Sequence, residues 1–324
     1  MLNLNPTAIS NDRIITHQVQ LSPEEMESQI HTLLQKGQIT ERDEKLLETL
    51  SELNVLSLDQ VMRLFWHGRQ TQSKTVYERM RKLNNTGLLS SPRSPRQDMT
   101  AWGLTAGKVY ALGDLGRYWL GFVIDETYVP PYLKRNQVLH DLLVSEFYLQ
   151  SLAATINRGK AWSLAWTGER GASFHKDENS PPIIAPDSLG ILTQMTAEGE
   201  AKLPFFVEMD ASREAHGRFS HDWGRKVVGY DRFYGGPWQQ HPAPNTLAEF
   251  PAVLVITHGA TRLLNLAKAI AEKRKKPIVY YLTQWQHWRE VEDGFKAPIW
   301  AAISPEGEII GYERAERLSL LPNE

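Results

Sequence analysis

The stretch that decides the fold runs from Leu203 to Tyr234 and reads LPFFVEMDASREAHGRFSHDWGRKVVGYDRFY. It opens with an apolar run typical of a buried strand, and two carboxylates, Glu208 and Asp210, end that run. Because successive side chains of a strand alternate between its two faces, residues two apart point the same way. Burying two like charges side by side is costly unless a partner offsets them. A bound divalent cation is one such partner.

Around this stretch the sequence predicts a mixed α+β or α/β core. The polar segment 211–234 predicts a helix that brings Lys226 and Tyr230 onto one face, since they are four residues apart. A purely apolar run such as AVLVIT (252–257) indicates a strand that is covered on both faces. The other predicted elements of this half are a long helix over 136–159, strands over 163–170, 181–193, 202–210, 278–283 and 300–304, and a helix over 260–275. The order of the core is therefore αβββαβ.

The N-terminal half is predicted to be helical. Ser22, Thr40 and Ser57 each precede a helical pattern as an N-cap, and a further helix is predicted over 70–87. Two short strand-like runs follow, AWGLT (101–105) and KVYALG (108–113). The last three of these helices, followed by a hairpin, give the order of a winged helix-turn-helix. In that fold the third helix, here 70–87, enters a groove of DNA.

Charge supports this interpretation locally. Residues 53–110 carry nine Lys or Arg and three Asp or Glu, whereas residues 21–52 carry three and eight. Basic side chains on the predicted recognition helix and wing would neutralise phosphates and make binding depend on salt. The candidate DNA-binding residues are Lys74, Arg79, Arg81 and Lys82 on the helix and Arg93 and Arg96 on the wing. A winged helix that docks another protein without touching DNA is the alternative.

The overall composition excludes several classes of protein. Apolar residues at 41% and charged residues at 23% are ordinary globular values, and the net charge is −2. The chain has no cysteine, which excludes a disulfide scaffold and an iron–sulfur cluster. No signal-peptide pattern and no long apolar run occur. We therefore expect a soluble cytoplasmic protein without membrane association.

The core order, with Pro186-Asp187 on the second strand and Glu208-x-Asp210 on the third, resembles the PD-(D/E)xK nuclease superfamily. The resemblance implies that Asp187, Glu208 and Asp210 bind Mg²⁺ or Mn²⁺. A lysine usually stands two residues after the second acid, and here Asp210 occupies that place. Lys226 on the following helix is the candidate replacement, and Glu146 on the long helix is the candidate fourth catalytic residue.

The whole architecture resembles the replication-relaxation family of plasmid and mobile-element proteins. The resemblance rests on YALGDLGRYWL, VLHDLLVSEFYL, the PD pair, FFVEMDAS and K-x-x-x-Y, over roughly residues 40–285. It implies a double-stranded DNA-binding protein with Mg-dependent cleavage or nicking linked to replication, relaxation or transfer. Replication, transposition or transfer proteins are candidate partners, and a homodimer is a further expectation because winged helices often pair.

The predicted domains follow from these elements. They are an N-terminal arm and helix (1–38), a winged helix-turn-helix (39–112), a connector (113–135), a restriction-endonuclease-like domain (136–310) and a tail (311–324).

Three alternatives stay open at the level of the sequence. A non-catalytic regulator or partner-recruiting protein could use the nuclease-like fold as a scaffold. His140 or Asp141 could occupy the neighbourhood assigned to Glu146. Zinc at His216, His221 and Asp222 is disfavoured, because that set lacks a clear third and fourth ligand.

Overall fold

A computed structural model of the chain describes residues 21–66, 73–123, 137–177, 180–211, 219–236, 238, 249–313 and 316–321. Within these ranges the protein is a mixed α+β structure with eleven helices and a seven-stranded mixed sheet. It divides into two compact units, Met1–Ser145 and Glu146–Glu324. None of the helices in the described ranges combines the length and the apolar composition that a membrane span requires.

The first unit consists of short helices and a three-stranded antiparallel sheet. Its elements are α1 (Pro23–Gln35), α2 (Glu41–Leu53), β1 (Val55–Ser57), α3 (Leu58–Phe65), α4 (Ser73–Asn85), β2 (Leu89–Ser90), α5 (Arg96–Ala101), β3 (Val109–Leu112), α6 (Asp114–Val123) and the first turns of α7 (Val138–Asn157). The strand order is β1-β3-β2. Ser22, Thr40 and Ser57 each form a capping box, which confirms the three predicted helix starts.

Part of the predicted hairpin is wrong. Residues 101–105 were predicted to be a strand, but Ala101 ends the short helix α5, residues 102–105 form no strand, and β3 pairs with β2 instead. Met99 of α5 is fully buried in a cluster with Val109 and Val138, so tertiary packing decides the helical conformation there. The segment predicted as a connector contains a helix, α6, over its first part, and residues 124–135 lie outside the described ranges.

The second unit is built on the seven-stranded sheet. Its elements after α7 are β4 (Trp162–Gly168), α8 (Glu169–Ala172), β5 (Phe174–His175), β6 (Pro182–Ile184), β7 (Ser188–Thr196), β8 (Gly199–Asp210), α9 (Phe219–Tyr234), β9 (Ala252–Thr257), α10 (Ala260–Lys273), β10 (Tyr280–Gln284), α11 (Trp285–Glu290), β11 (Ala301–Ile303) and β12 (Ile309–Ile310). The strand order is β12-β11-β10-β9-β8-β7-β4. Strands β8, β9 and β10 are parallel, and the other neighbours are antiparallel.

Strand β8 is covered on both faces over its last seven residues, 204–210. On one face, the ring of Phe205 lies 5.4 Å from that of Phe295. On the other, Phe206 lies 5.6 Å from Tyr230 of α9, in a core cluster that also contains α10 residues. Gly190 on β7 makes room for Phe205, because a Cβ there would lie 2.2 Å from the ring. Even-numbered residues at the end of β8 therefore face α9 and α10.

The predicted strand over 181–193 is interrupted in the structure. Its first part is β6, which pairs with β5 in a separate two-stranded sheet, and its second part is β7. Pro186 lies in the interruption, and proline cannot donate a hydrogen bond to a sheet ladder. The break leaves Asp187 immediately before β7.

Candidate functional site

Glu208 is the centre of a buried polar cluster at the end of β8. Only 1% of the residue is exposed. Its Oε1 accepts a hydrogen bond of 2.8 Å from the Tyr230 hydroxyl, and its Oε2 pairs with Nζ of Lys226. Both partners come from α9, where four-residue spacing puts them on one face. The structure therefore brings Lys226 to Glu208, although 17 residues separate them in the sequence.

Asp187, the residue just before β7, lies opposite Glu208 of β8. Ser188 pairs with Val207 across the β7–β8 ladder, so the residue that precedes β7 faces the residue that follows Val207. Two hydrogen bonds hold Asp187 there, from its own N–H to the Val207 carbonyl at 3.0 Å and from the Met209 N–H to its Oδ2 at 2.6 Å. These contacts anchor the carboxylate against the backbone of β8.

The electrostatics of the cluster follow from burial. Desolvation raises the pKa of Glu208, the ammonium of Lys226 opposes the rise, and the negative charge of Asp187 adds to it. For Lys226, desolvation lowers the pKa, but Glu208 and Asp187 outweigh it and the net shift is upward. Burial and then the charge of Glu208 raise the pKa of Tyr230 well above its ordinary value, so its hydroxyl stays protonated and donates.

Lys226 is the part of the cluster that reaches solvent. Its side chain is 40% exposed, whereas that of Glu208 is 2% exposed. Its ammonium lies 5.4 Å from the centre of the Trp223 ring, at a distance typical of a cation–π contact. A cation at the rim of a buried carboxylate cluster can meet an anionic ligand from solvent.

Asp210 points to the same face of the sheet as Glu208, as the alternation predicts, but it has different partners. Arg262 of α10 pairs with it through Nε and, at 2.7 Å, through Nη2. The hydroxyl of Thr257, its neighbour on β9, donates at 2.9 Å. The positive charge of Arg262 in this bidentate pair balances the negative charge of Asp210.

The structure does not join Glu146 to this cluster. Its neighbour Phe147 stacks on Trp288 at 4.3 Å, which places α7 on the Phe205 face of the sheet, whereas Glu208 faces α9. Glu146 is buried and accepts a hydrogen bond of 3.2 Å from Gln150. The sequence alternatives, His140 and Asp141, lie 3.2 Å from each other in the first unit.

The fit of a divalent cation can be judged from these contacts. Within the described ranges, no three His, Asp or Glu side chains form a group that could hold a metal ion. Asp210 does not fit as a ligand, because Arg262 and Thr257 bind its oxygens.

Asp187, just before β7, and Glu208 on β8 offer carboxylates at facing positions, but Tyr230 and Lys226 already bind both Glu208 oxygens, so an ion there would have to displace the Lys226 ammonium. Mg²⁺ is commonly bound through one or two carboxylates together with substrate phosphates. The residues considered and disfavoured for zinc, His216, His221 and Asp222, lie outside the described positions or side chains.

Among the predicted DNA-binding residues, Arg79 differs from the others. Its guanidinium pairs with Asp43, at 2.9 Å from Nε to Oδ1, and donates at 2.9 Å to the Gln38 carbonyl. Asp43 is 1% exposed. The pair holds α4 against α2 inside the first unit.

The remaining predicted residues lie at the surface. Lys74, Arg81 and Lys82 are exposed on α4, and Arg93 and Arg96 are exposed in the segment between β2 and β3. Lys108, which sequence reasoning did not select, connects the two groups. Its ammonium lies 3.0 Å from the Tyr77 hydroxyl and 4.8 Å from the centre of the Tyr77 ring.

Sequence reasoning also missed Arg262 and Thr257. They are 52 and 47 residues from Asp210, and nothing in their spacing indicates a contact. The one available signal for Thr257 was its place at the end of an apolar strand, which matches the place of Asp210.

Comparison with known proteins identifies the family of the chain. A model of the replication-relaxation proteins matches residues 47–247. Comparison with curated proteins and with solved structures gave no match. Since the family match spans more than half of the 324 residues, the chain belongs to the replication-relaxation family.

Proposed function

We propose that this protein binds double-stranded DNA of a plasmid or mobile element through a winged-helix first unit and nicks or cleaves it with a PD-(D/E)xK-like second unit. The observation that carries the catalytic half is the meeting of Asp187, Glu208 and Lys226 at one end of the sheet. Family membership supports a role in plasmid replication.

The element order of the first unit supports the DNA-binding half. Helices α3 and α4 follow β1, and the β2–β3 hairpin follows α4, as in a winged helix-turn-helix. In this reading α4 is the recognition helix. Its exposed Lys74, Arg81 and Lys82 would neutralise phosphates.

Each residue of the second unit has a distinct role in the proposed reaction. Asp187 and Glu208 would hold Mg²⁺, which would polarise the phosphodiester and lower the pKa of an attacking water. Tyr230 orients the Glu208 carboxylate by its hydrogen bond. Lys226, paired with Glu208 and exposed to solvent, would stabilise negative charge on the phosphate in the transition state.

A second candidate is a non-catalytic DNA-binding protein in which the nuclease-like unit recruits partners. Two observations favour it. Both Glu208 oxygens already accept contacts from α9, and Asp210 stands paired with Arg262 where the superfamily has its lysine. In that case the buried polar network would only stabilise the fold.

In the deciding experiment, the protein is incubated with supercoiled plasmid and Mg²⁺ or Mn²⁺. Relaxed and linear products are then measured on a gel. We expect nicking by the wild type, and its loss in Asp187→Ala and in Glu208→Ala. The matched control is Glu200→Ala, which removes an exposed carboxylate from the same strand and should leave nicking unchanged. DNA binding is measured in parallel by fluorescence anisotropy.

Unchanged nicking by the two site variants would show that the site is assigned to the wrong residues. A wild type that binds DNA but never nicks it would favour the non-catalytic candidate. If the protein shows no salt-dependent DNA binding, the alternative of a winged helix that docks another protein is favoured.

A further inference from the structure

The segment between β2 and β3 contains a repeated tripeptide. Residues 91–96 read Ser-Pro-Arg-Ser-Pro-Arg, so Arg93 and Arg96 recur three residues apart. Both arginines are exposed. Together with Lys108 they line one concave surface, to which Asp98 contributes the single carboxylate among the described lining residues. We call this surface the basic notch. Its described lining residues carry a net positive charge.

The backbone of the basic notch is anchored rather than loose. The Ser91 hydroxyl donates to the Val109 carbonyl at 3.0 Å, and the Ser94 hydroxyl lies 3.2 Å from the Met99 sulfur. Pro92 is buried, and Met99 is buried in the core of the unit. Each proline also fixes one backbone dihedral angle. The two guanidinium groups therefore extend from a pre-organised base, which lowers the entropy lost on binding.

The basic notch continues the exposed face of α4. Lys108 lines the notch and contacts Tyr77 of α4. Lys74 and Arg81 share a helix face with Tyr77, because they are three residues before it and four after it. An extended basic surface thus runs from α4 to the hairpin, and a duplex that placed its major groove on α4 would present its backbone and next minor groove to the hairpin.

Building on the proposed DNA binding, we propose that Arg93 and Arg96 enter the minor groove and select A·T-rich sequence beside the α4 site. The occupant is double-stranded DNA with a narrow minor groove. Such grooves have an enhanced negative potential that attracts arginine. A guanidinium is more weakly hydrated than an ammonium, so it loses less on entering a narrow groove. Phosphate contact alone would not distinguish one sequence from another.

Three duplexes of equal length test this by fluorescence anisotropy with the full chain. One has an A·T flank, one a G·C flank and one an inosine·cytosine flank, which keeps the major-groove pattern of G·C but lacks the guanine amino group in the minor groove. We expect the wild type to bind the A·T and inosine duplexes about fivefold more tightly than the G·C duplex. Equal affinity for inosine and G·C flanks would overturn the proposal.

The matched variants separate groove entry from charge. The double variant Arg93→Lys/Arg96→Lys keeps both charges, so its salt dependence should equal that of the wild type while its preference between flanks falls below about twofold. Lys82→Ala should weaken binding to all three duplexes equally. A double lysine variant that keeps the full preference would contradict minor-groove entry. A wild type that binds none of the duplexes would instead overturn the DNA-binding proposal itself.

Discussion

The hydroxyl of Tyr230 donates a hydrogen bond of 2.8 Å to Oε1 of Glu208, from the inner face of α9 to the end of β8. Both residues are 1% exposed. The bond occupies one carboxylate oxygen, while Lys226 occupies the other. A buried carboxylate is thus oriented from one helix.

Removal of the Tyr230 hydroxyl should destabilise the second unit. Tyr230→Phe keeps the ring in the core but leaves Oε1 of Glu208 without its donor, at a cost of about 1–3 kcal/mol. Urea unfolding followed by tryptophan fluorescence measures the change. Tyr234→Phe removes a hydroxyl one turn further along α9, where the residue is only partly buried, and should change the free energy of unfolding by less than about 0.5 kcal/mol. Equal effects of the two variants would contradict an orienting role.

The stability contributed by Glu208 should depend on pH. Burial raises its folded-state pKa above the ordinary value of 4.5, so its contribution is fully present below that pH and is lost as the pH rises through the folded-state pKa. The free energy of unfolding of the wild type should therefore fall relative to that of Glu208→Gln as the pH rises above 4.5. Urea titrations at several pH values test this. If the free energy of unfolding of the wild type instead rises relative to that of Glu208→Gln, the attraction of Lys226 outweighs desolvation in setting the pKa of Glu208.

Loss of Arg262 should be among the more damaging changes in the second unit. Arg262→Met leaves Asp210 buried without its cation, which costs about 3 kcal/mol in the free energy of unfolding. Lys268→Met, on the exposed side of the same helix, is the control and should be nearly neutral. The double variant Asp210→Asn/Arg262→Met removes both charges and should recover part of the loss. A double variant less stable than Arg262→Met would refute the pairing.

Arg79 and Arg81 should behave differently although both lie on α4. Arg79→Ala unpairs the buried carboxylate of Asp43, so unit stability should fall by about 3 kcal/mol. Arg81→Ala should leave stability within about 0.5 kcal/mol but reduce the slope of log affinity against log salt by about one. Thermal unfolding and anisotropy at several salt concentrations give both quantities. If Arg81→Ala leaves the salt slope unchanged, Arg81 does not contact a phosphate.

Much of the element string could be predicted from local pattern. The capping residues Ser22, Thr40 and Ser57 begin helices because a cap needs only neighbouring residues. The run 252–257 forms a strand with the predicted bounds, because five successive apolar residues before Thr257 suit a buried strand. The strand over 101–105 was predicted wrongly, since burial of Met99 overrides local preference.

Some features of the candidate site could likewise be predicted from local pattern, and others could not. Alternation along a strand was enough to predict that Glu208 and Asp210 share a face, and helical spacing was enough to predict that Lys226 and Tyr230 do. Only the tertiary structure decided that residues of α9 bind Glu208, whereas Arg262 of α10 pairs with Asp210. Periodicity sets the direction of a side chain within its own element. Its partner depends on which helix packs over which strand, and that follows from the order of strands in the sheet and from the burial of residues far apart in the chain.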